Sequence, residues 1–281
     1  MPAMTIPTVE LPSGVHMPTF GIGTWRMGED RRRRKDETDA IRHGVDLGFT
    51  LIDTAEMYGD GGAEEAIADA IAGRRDGLFI VSKVYPHNAS RRGAVAACER
   101  SLKRLRIERI DLYLLHWIGS VPFEETIAAF QKLKDDGKIG DWGVSNFDVD
   151  DLQSWHAKDG GRCATNQVMF NLARRGVEFD LLPWMRQRRM PLMAYSPFDQ
   201  GPLARHRTLK AIADRHGATP AQIALAWLLQ LPGVVAIPKS ADKGRLSENF
   251  AALKVKLTDA DLAELDRAFP PPRNKRSLSI V

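Results

Sequence analysis

The sequence predicts an α/β fold, a (β/α)8 TIM barrel with an N-terminal β-hairpin and extra helices near the C-terminus. Three observations carry that prediction. Short apolar runs bounded by glycine or polar turn residues recur along the chain and read as buried strands. Each run ends in a different polar group: Asp53, with Tyr58 five residues on, then Lys83, His116, Ser145 with Asn146, Gln167, Tyr195, and finally Lys239 after Pro238. From Asp53 to Asn146 the interval stays close to ~30 residues, about one strand-helix-strand unit. In a barrel of parallel strands such groups gather at the C-terminal face, where sites are built.

The elements follow in order. Residues 5 to 18 read as two short extended segments around Pro12-Ser13-Gly14, a hairpin placed as a lid over the bottom of the barrel. Phe20 to Thr24 is the first barrel strand, and its Gly21 and Gly23 mark a close approach, either by the barrel interior or by a ligand. The next strands are Phe49 to Ile52, Phe79 to Ser82, Ile110 to Leu115, Trp142 to Val144, Ala164 to Asn166, Pro191 to Ala194 and Val234 to Ile237. Between them lie helical patterns at Asp36 to Leu47, Gly61 to Gly73, Arg91 to Arg106, Pro122 to Asp136, Val149 to Ala157 and Gly176 to Arg188. This alternation is that of repeated right-handed crossovers.

After Tyr195 the pattern loosens. Ser196 to Arg207, with Pro197, Gly201 and Pro202, reads as a loop long enough to cross the barrel mouth. Helices follow at Thr208 to His216 and at Pro220 to Gln230, the latter capped by Thr219 with proline in its first position. Lys243 to Ala251 is the eighth outer helix, and Thr258 to Phe269 is an extra one, with Thr258 and Asp261 placed to cap it. The tail 270 to 281 is proline-rich and basic and is expected to run over the surface. No linker or composition shift divides the chain, so residues 1–281 are read as one barrel domain.

Composition narrows the function. The 281 residues carry 40 basic and 36 acidic side chains, a net charge of +4, mixed almost throughout. That balance fits an anionic small ligand and gives no sign of a nucleic-acid partner. The basic run Arg31 to Lys35 is followed at once by Asp36 and Glu37 and reads as a solvated loop leading into a helix, without the interleaved aromatics of a stacking surface. Cys98 and Cys163 lack the spacing of a disulfide or zinc framework, which fits a reduced compartment. The N-terminus lacks a signal-peptide pattern, and no apolar stretch approaches the ~18 residues of a membrane span. The expectation is a cytoplasmic protein, monomeric, with no membrane association and no bound metal.

Ends of adjacent strands must converge, which brings Asp53, Tyr58, Lys83 and His116 together. Tyrosine, with an ordinary pKa of ~10, needs help to act as an acid. Lys83 supplies it by lowering the Tyr58 pKa, while Asp53 holds Lys83 in place and charged. His116 is then placed to hydrogen-bond an oxygen beside Tyr58, and the set suits protonation of an oxygen on which negative charge develops. Each residue alone has a plainer explanation, as a cap, a surface charge or a satisfied core histidine. Their succession along adjacent strand ends is what points to chemistry.

The chain resembles the aldo-keto reductases over nearly its full length. The segments that carry the resemblance are Gly21-Ile22-Gly23-Thr24-Trp25, Leu51 to Ala55 with Tyr58-Gly59, Val81-Ser82-Lys83 and Leu112 to His116. Gly143 to Phe147, Asn166-Gln167, Ala194 to Pro197 and Ile237 to Ser240 with Arg245 and Glu248-Asn249 complete it. Asp53 to Gly59 with Asp60 to Glu64, and the short tail, resemble the bacterial reductases of methylglyoxal and related small aldehydes.

The resemblance implies a catalytic tetrad of Asp53, Tyr58, Lys83 and His116, with Tyr58 as general acid in reduction. It implies NADPH/NADP+ as cofactor without a dinucleotide-binding G-x-G-x-x-G fingerprint, which the chain lacks after any strand. Ser145, Asn146 and Gln167 would hold the nicotinamide carboxamide, Tyr195 would stack on the ring, and Ser196 would add a further cofactor contact. Lys239, Ser240 and Arg245 would grip the 2′-phosphate, and two cations with a hydroxyl at a helix start suit a phosphate. Glu248 and Asn249 would meet the adenine. The tail offers few bulky groups, mainly Leu278, Ile280 and Val281, so Trp25, Met57, Tyr85, His87 and Trp117 are expected to wall an open pocket for a small carbonyl substrate. Two other readings are a catalytically weak NADPH-binding sensor on the same fold and a metal-dependent barrel hydrolase. The latter needs several converging His and Asp ligands, and only Asp53 and His116 qualify.

Overall fold

Eight parallel strands form a ring in which sequence neighbours are spatial neighbours throughout. The computed structural model describes residues 5–159, 163–199 and 201–280, so Val281 lies outside the described residues. A hairpin of β1 (Thr8–Glu10) and β2 (His16–Pro18) precedes the ring. The ring comprises β3 (Gly21–Gly23), β4 (Leu51–Asp53), β5 (Phe79–Val84), β6 (Ile110–Leu115), β7 (Ile139–Ser145), β8 (Asn166–Met169), β9 (Leu192–Tyr195) and β10 (Val234–Ala236). It closes where Phe20 bridges Ala236 and Gly23 bridges Lys239, with the Gly23 N–H donating to the Pro238 carbonyl at 3.0 Å.

Helices alternate with the strands: α1 (Arg34–Leu47), α2 (Gly62–Ala70), α3 (Arg91–Leu105), α4 (Phe123–Asp135), α5 (Val149–Asp159) and α6 (Leu181–Gln187). Two helices, α7 (Arg207–His216) and α8 (Pro220–Leu229), lie between β9 and β10; α9 (Lys243–Ala251) and α10 (Asp259–Ala268) follow β10. The basic run is helical, not a loop: a 3-10 turn, Arg31–Arg33, leads into α1, and Arg34 ion-pairs with Glu65 and Asp69 of α2. The helix expected at 176–188 is broken into a turn, Gly176–Glu178, and α6. Pro183 explains the break, since in a continuous helix its ring would press on the Phe179 carbonyl.

Two apolar layers follow from the period of two along each strand. Side chains facing outward, among them Ile52, Ile80, Tyr113 and Val144, pack against the helices. Inward-facing Leu51, Val81, Leu112, Leu114, Met193, Val235 and Ile237 form a separate interior cluster with Leu11 and Met17 from the hairpin region. The hairpin is thus the expected lid on the barrel bottom. Gly21 is explained by the barrel interior, and Gly23 by the neighbouring strand end, although Gly23 also lines the cleft. A Cβ on Gly21 would lie 2.1 Å from Leu51 Cδ2, and one on Gly23 would lie 2.9 Å from the Ile237 carbonyl oxygen.

Thr258 and Asp261 form the expected capping box on α10, and Asp261 also accepts from Arg215 at 2.9 Å and pairs with His216 at 2.8 Å. Burial raises the Asp261 carboxyl, but hydrogen bonds from Arg215, Thr258 and His216 outweigh it and hold the group well below the ordinary carboxylate range. A depressed folded-state pKa gives stability that is present above the unfolded value, ~3.9, and is lost as pH falls through the folded value. Asp261→Ala is expected to cost about 1–3 kcal/mol at neutral pH. In urea titrations the gap to the native protein should narrow below pH ~4; a gap independent of pH would remove the carboxylate from this role.

Candidate active site

The same period of two that builds the interior cluster also delivers the polar groups. Two residues beyond Leu51, Val81, Leu114, Met193 and Ile237 on the inward face come Asp53, Lys83, His116, Tyr195 and Lys239. Lys83 Nζ, fully buried, donates to Asp53 Oδ2 at 2.8 Å and to the Thr54 carbonyl at 2.7 Å, and lies 3.4 Å from the Tyr58 hydroxyl. Tyr58 comes from the loop after β4, which turns through left-handed Gly59 and Asp60. A Cβ on Gly59 would lie 2.5 Å from the Gly28 carbonyl carbon, so only glycine lets this loop lie against the turn after β3. Glu56 fastens it from the other side, accepting from the Tyr85 N–H at 2.8 Å and from Asn88 at 3.0 Å. The His116 ring meets the Tyr58 ring edge-on at 5.8 Å and leans on Trp117 at 4.8 Å.

Burial sets the charge states. It lifts the Tyr58 phenol above its ordinary value, and the Lys83 ammonium pulls downward without overcoming it. The expected lowering by Lys83 is therefore present but is outweighed by the cost of placing a phenolate in a buried site. Tyr58 is a phenol at neutral pH, the form that can give a proton. Burial disfavours the Lys83 charge, yet the Asp53 carboxylate beside it raises its pKa on balance, so it stays an ammonium. Burial, and then the Lys83 charge, hold His116 well below the ordinary histidine range, so the imidazole is neutral. Among the described residues its buried Nδ1 has no hydrogen-bond partner.

Asp53, Tyr58 and His116 line a cleft of about 1230 Å³ at the C-terminal face, with Lys83 buried beneath them. Ser145, Asn146, Gln167, Tyr195 and Ser196 line one wall and interlock. The Ser145 hydroxyl donates to the Gln167 carbonyl at 2.8 Å, and Tyr195 donates to Asn146 Oδ1 at 2.8 Å. Asn146 (φ +62°) donates in turn to the His116 carbonyl at 3.2 Å. Gln167 Nε2 donates to Asp53 Oδ1 at 2.7 Å, a tie to the tetrad that the sequence did not suggest.

Another part of the cleft is lined by Lys239 and Ser240, ahead of α9, and by Arg245, Glu248 and Asn249 along it. Lys239 makes no ion pair among the described residues, and burial, then the Arg33 charge, pull its pKa down. A half-buried cation in that condition is relieved by an anion. Glu248 is partly engaged already, accepting the Thr219 hydroxyl at 2.6 Å. A cleft with amide and hydroxyl groups in one part and unpaired cations in another fits a dinucleotide carrying an extra phosphate.

Of the expected pocket walls, Trp25, Met57 and Trp117 line the cleft. Tyr85 and His87 do not, and this corrects the sequence expectation. They stack on each other at 4.5 Å, and Tyr85 packs against Trp117 at 5.2 Å, so they back the wall. The 3-10 turn Pro86–Asn88 carries them outward past the end of β5. Arg26, Ile118, Phe198, Arg205 and Ile280 line the cleft without having been singled out for it. They sit on loops, on the 3-10 turn Pro202–Arg205 and on the tail, where no periodicity reports direction. Among the described residues no three His, Cys, Asp or Glu side chains gather as a metal ion requires, and no helix is long and apolar enough to cross a membrane.

A sequence profile described as the Aldo/keto reductase family matches residues 19–269. Methylglyoxal reductase YeaE of Escherichia coli (strain K12) is 50% identical over 279 residues, covering 97% of this chain and 98% of the relative. Glyoxal reductase of Bacillus subtilis (strain 168) is 35% identical over 272 residues, covering 95% and 94%. A crystal structure of an aldo-keto reductase from Klebsiella pneumoniae in complex with NADPH superposes with a TM-score of 0.95 at 48% identity, covering 99% of this chain and 100% of that one.

Proposed function

The chain belongs to the aldo/keto reductase family, and from that premise we propose that it is an NADPH-dependent reductase of aldehydes and reactive ketones such as methylglyoxal. The observation that carries the reading is the buried Lys83 ammonium reaching both Asp53 and the Tyr58 hydroxyl beneath a cleft that His116 also lines. NADPH, when bound, supplies the hydride. Ser145, Asn146, Gln167, Tyr195 and Ser196 hold its nicotinamide end, Lys239, Ser240 and Arg245 its 2′-phosphate, and Glu248 and Asn249 its adenine.

Tyr58 gives its proton to the carbonyl oxygen as negative charge develops there. Neutral His116 hydrogen-bonds the same oxygen and orients it. As the proton leaves, charge grows on the Tyr58 oxygen, and Lys83 offsets it at close range in a dry site. Asp53 keeps Lys83 charged and aimed. Trp25, Met57 and Trp117 exclude water around the reacting carbon. The relatives named for methylglyoxal and glyoxal reduction support the small-carbonyl substrate class.

The test is loss of absorbance at 340 nm with NADPH or NADH and a panel containing methylglyoxal, an aromatic aldehyde, a sugar and a steroid ketone. Fast NADPH oxidation with the small aldehydes is the expected result. Tight NADPH binding without turnover would reject the reductase in favour of a cofactor-binding sensor. Arg245→Ala is expected to raise the KM for NADPH by about ten- to a hundredfold, as losing a charge-assisted phosphate contact does, with little change for NADH. An equal loss with both cofactors would remove Arg245 from the 2′-phosphate.

A further inference from the structure

We propose that Gln167 is a positioning residue of the proton-donating group, holding Asp53 through its side-chain amide as well as facing the cofactor. The inference rests on the reductase reading and goes beyond it. Both side chains are almost wholly buried, and Gln167 Nε2 lies 2.7 Å from Asp53 Oδ1 while Lys83 Nζ takes the other carboxylate oxygen, Oδ2, at 2.8 Å. A carboxylate only accepts hydrogen bonds, so the amide has one chemically sensible orientation: its NH2 faces Asp53. Its carbonyl oxygen is then the end left for the cleft. A group that donates, as a carboxamide NH2 does, suits that end.

Asp53 is therefore gripped from opposite walls of the barrel, by Lys83 of β5 and by Gln167 of β8. Neither grip touches the reacting carbonyl, but together they fix where the ammonium sits beneath the Tyr58 hydroxyl. The ionisable groups that feel this carboxylate are Lys83 and Tyr58, and the Lys83 charge in turn acts on His116. The backbone backs the arrangement. The Gln167 carbonyl accepts from the Ser145 hydroxyl at 2.8 Å and from the Asn146 N–H at 2.9 Å, which fixes the strand segment from which the side chain projects.

The deciding experiment compares the native protein with Gln167→Glu and Gln167→Met, reading NADPH affinity by fluorescence titration and kcat as a function of pH. Gln167→Glu keeps an acceptor toward the cofactor but sets a second carboxyl against Asp53, and two carboxyls that close share a proton. Protonated, the introduced group donates to Asp53 as the amide did; ionised, it repels it. NADPH affinity should stay within about threefold of native at acidic pH, while kcat falls at least tenfold as pH rises across a range where the native profile is flat. Gln167→Met should lose kcat at every pH, with no recovery in acid. Parallel pH profiles for native and Gln167→Glu, with any difference confined to NADPH affinity, would overturn the proposal and leave Gln167 as a cofactor contact alone. A native protein that binds NADPH but turns over no carbonyl would instead defeat the reductase reading, and the positioning role with it.

Discussion

Tyr58→Phe is expected to lower carbonyl reduction by at least about a thousandfold while leaving NADPH binding nearly unchanged. The substitution removes one oxygen atom, whose closest charged neighbour is Lys83 Nζ at 3.4 Å. The ring keeps its edge-on contact with His116, and the loop keeps Gly59 and the Glu56 fastening, so the cleft retains its shape. Neutral His116 cannot take over the donation easily, since burial and the Lys83 charge both oppose the protonated imidazole. Steady-state kinetics at 340 nm beside a fluorescence titration of NADPH separates the two effects. Full activity in the variant would mean that the proton comes from elsewhere.

Lys83→Met carries the second large effect, on stability as well as rate. The ammonium is fully buried and is the ionic partner of a carboxylate that is itself only 3% exposed. Removing one member of a buried pair strands the other, at a cost of about 3–5 kcal/mol. Urea denaturation of Lys83→Met should show that loss, and reduction should fall with it. Adding Asp53→Asn removes the stranded charge, so the double variant is expected to regain most of the stability while staying inactive. If it stayed as unstable as the single variant, unpaired charge would not be the cause. If it regained activity, the ammonium would have no part in the chemistry.

Much of this site could be read from the chain because strand alternation reports direction. Leu51 and Asp53, or Val81 and Lys83, share a face by arithmetic, and the apolar member of each pair shows which face is inside. Strand limits were less legible. Lys83 lies within β5 and Gln167 within β8, because β5 and β8 continue past their apolar runs for as long as the neighbouring strand offers partners, and pairing register is not a property of one segment's hydropathy. The net charge state of Tyr58 was not legible either. It depends on how deeply the phenol is buried, and composition does not record depth. The Gln167 contact with Asp53 joins β8 to β4 across the barrel interior, a distance along the chain over which no local pattern speaks.

The seam that closes the ring has a consequence for how the protein is made. Phe20, just before β3, and Gly23, its last residue, pair with Ala236 and Lys239, and the segment that carries Lys239 also leads to the start of α9. Asp53, Lys83 and His116 leave the ribosome long before these partners, at ~5–20 residues per second. During that interval β10 and Lys239 have not yet been made. Asp53, Lys83 and His116 are thus translated early, yet the cation-lined end of the cleft is completed only when β10 docks beside β3. No chain that stops short of β10 can hold a complete cleft, because Lys239, Arg245 and Asn249 lie beyond it.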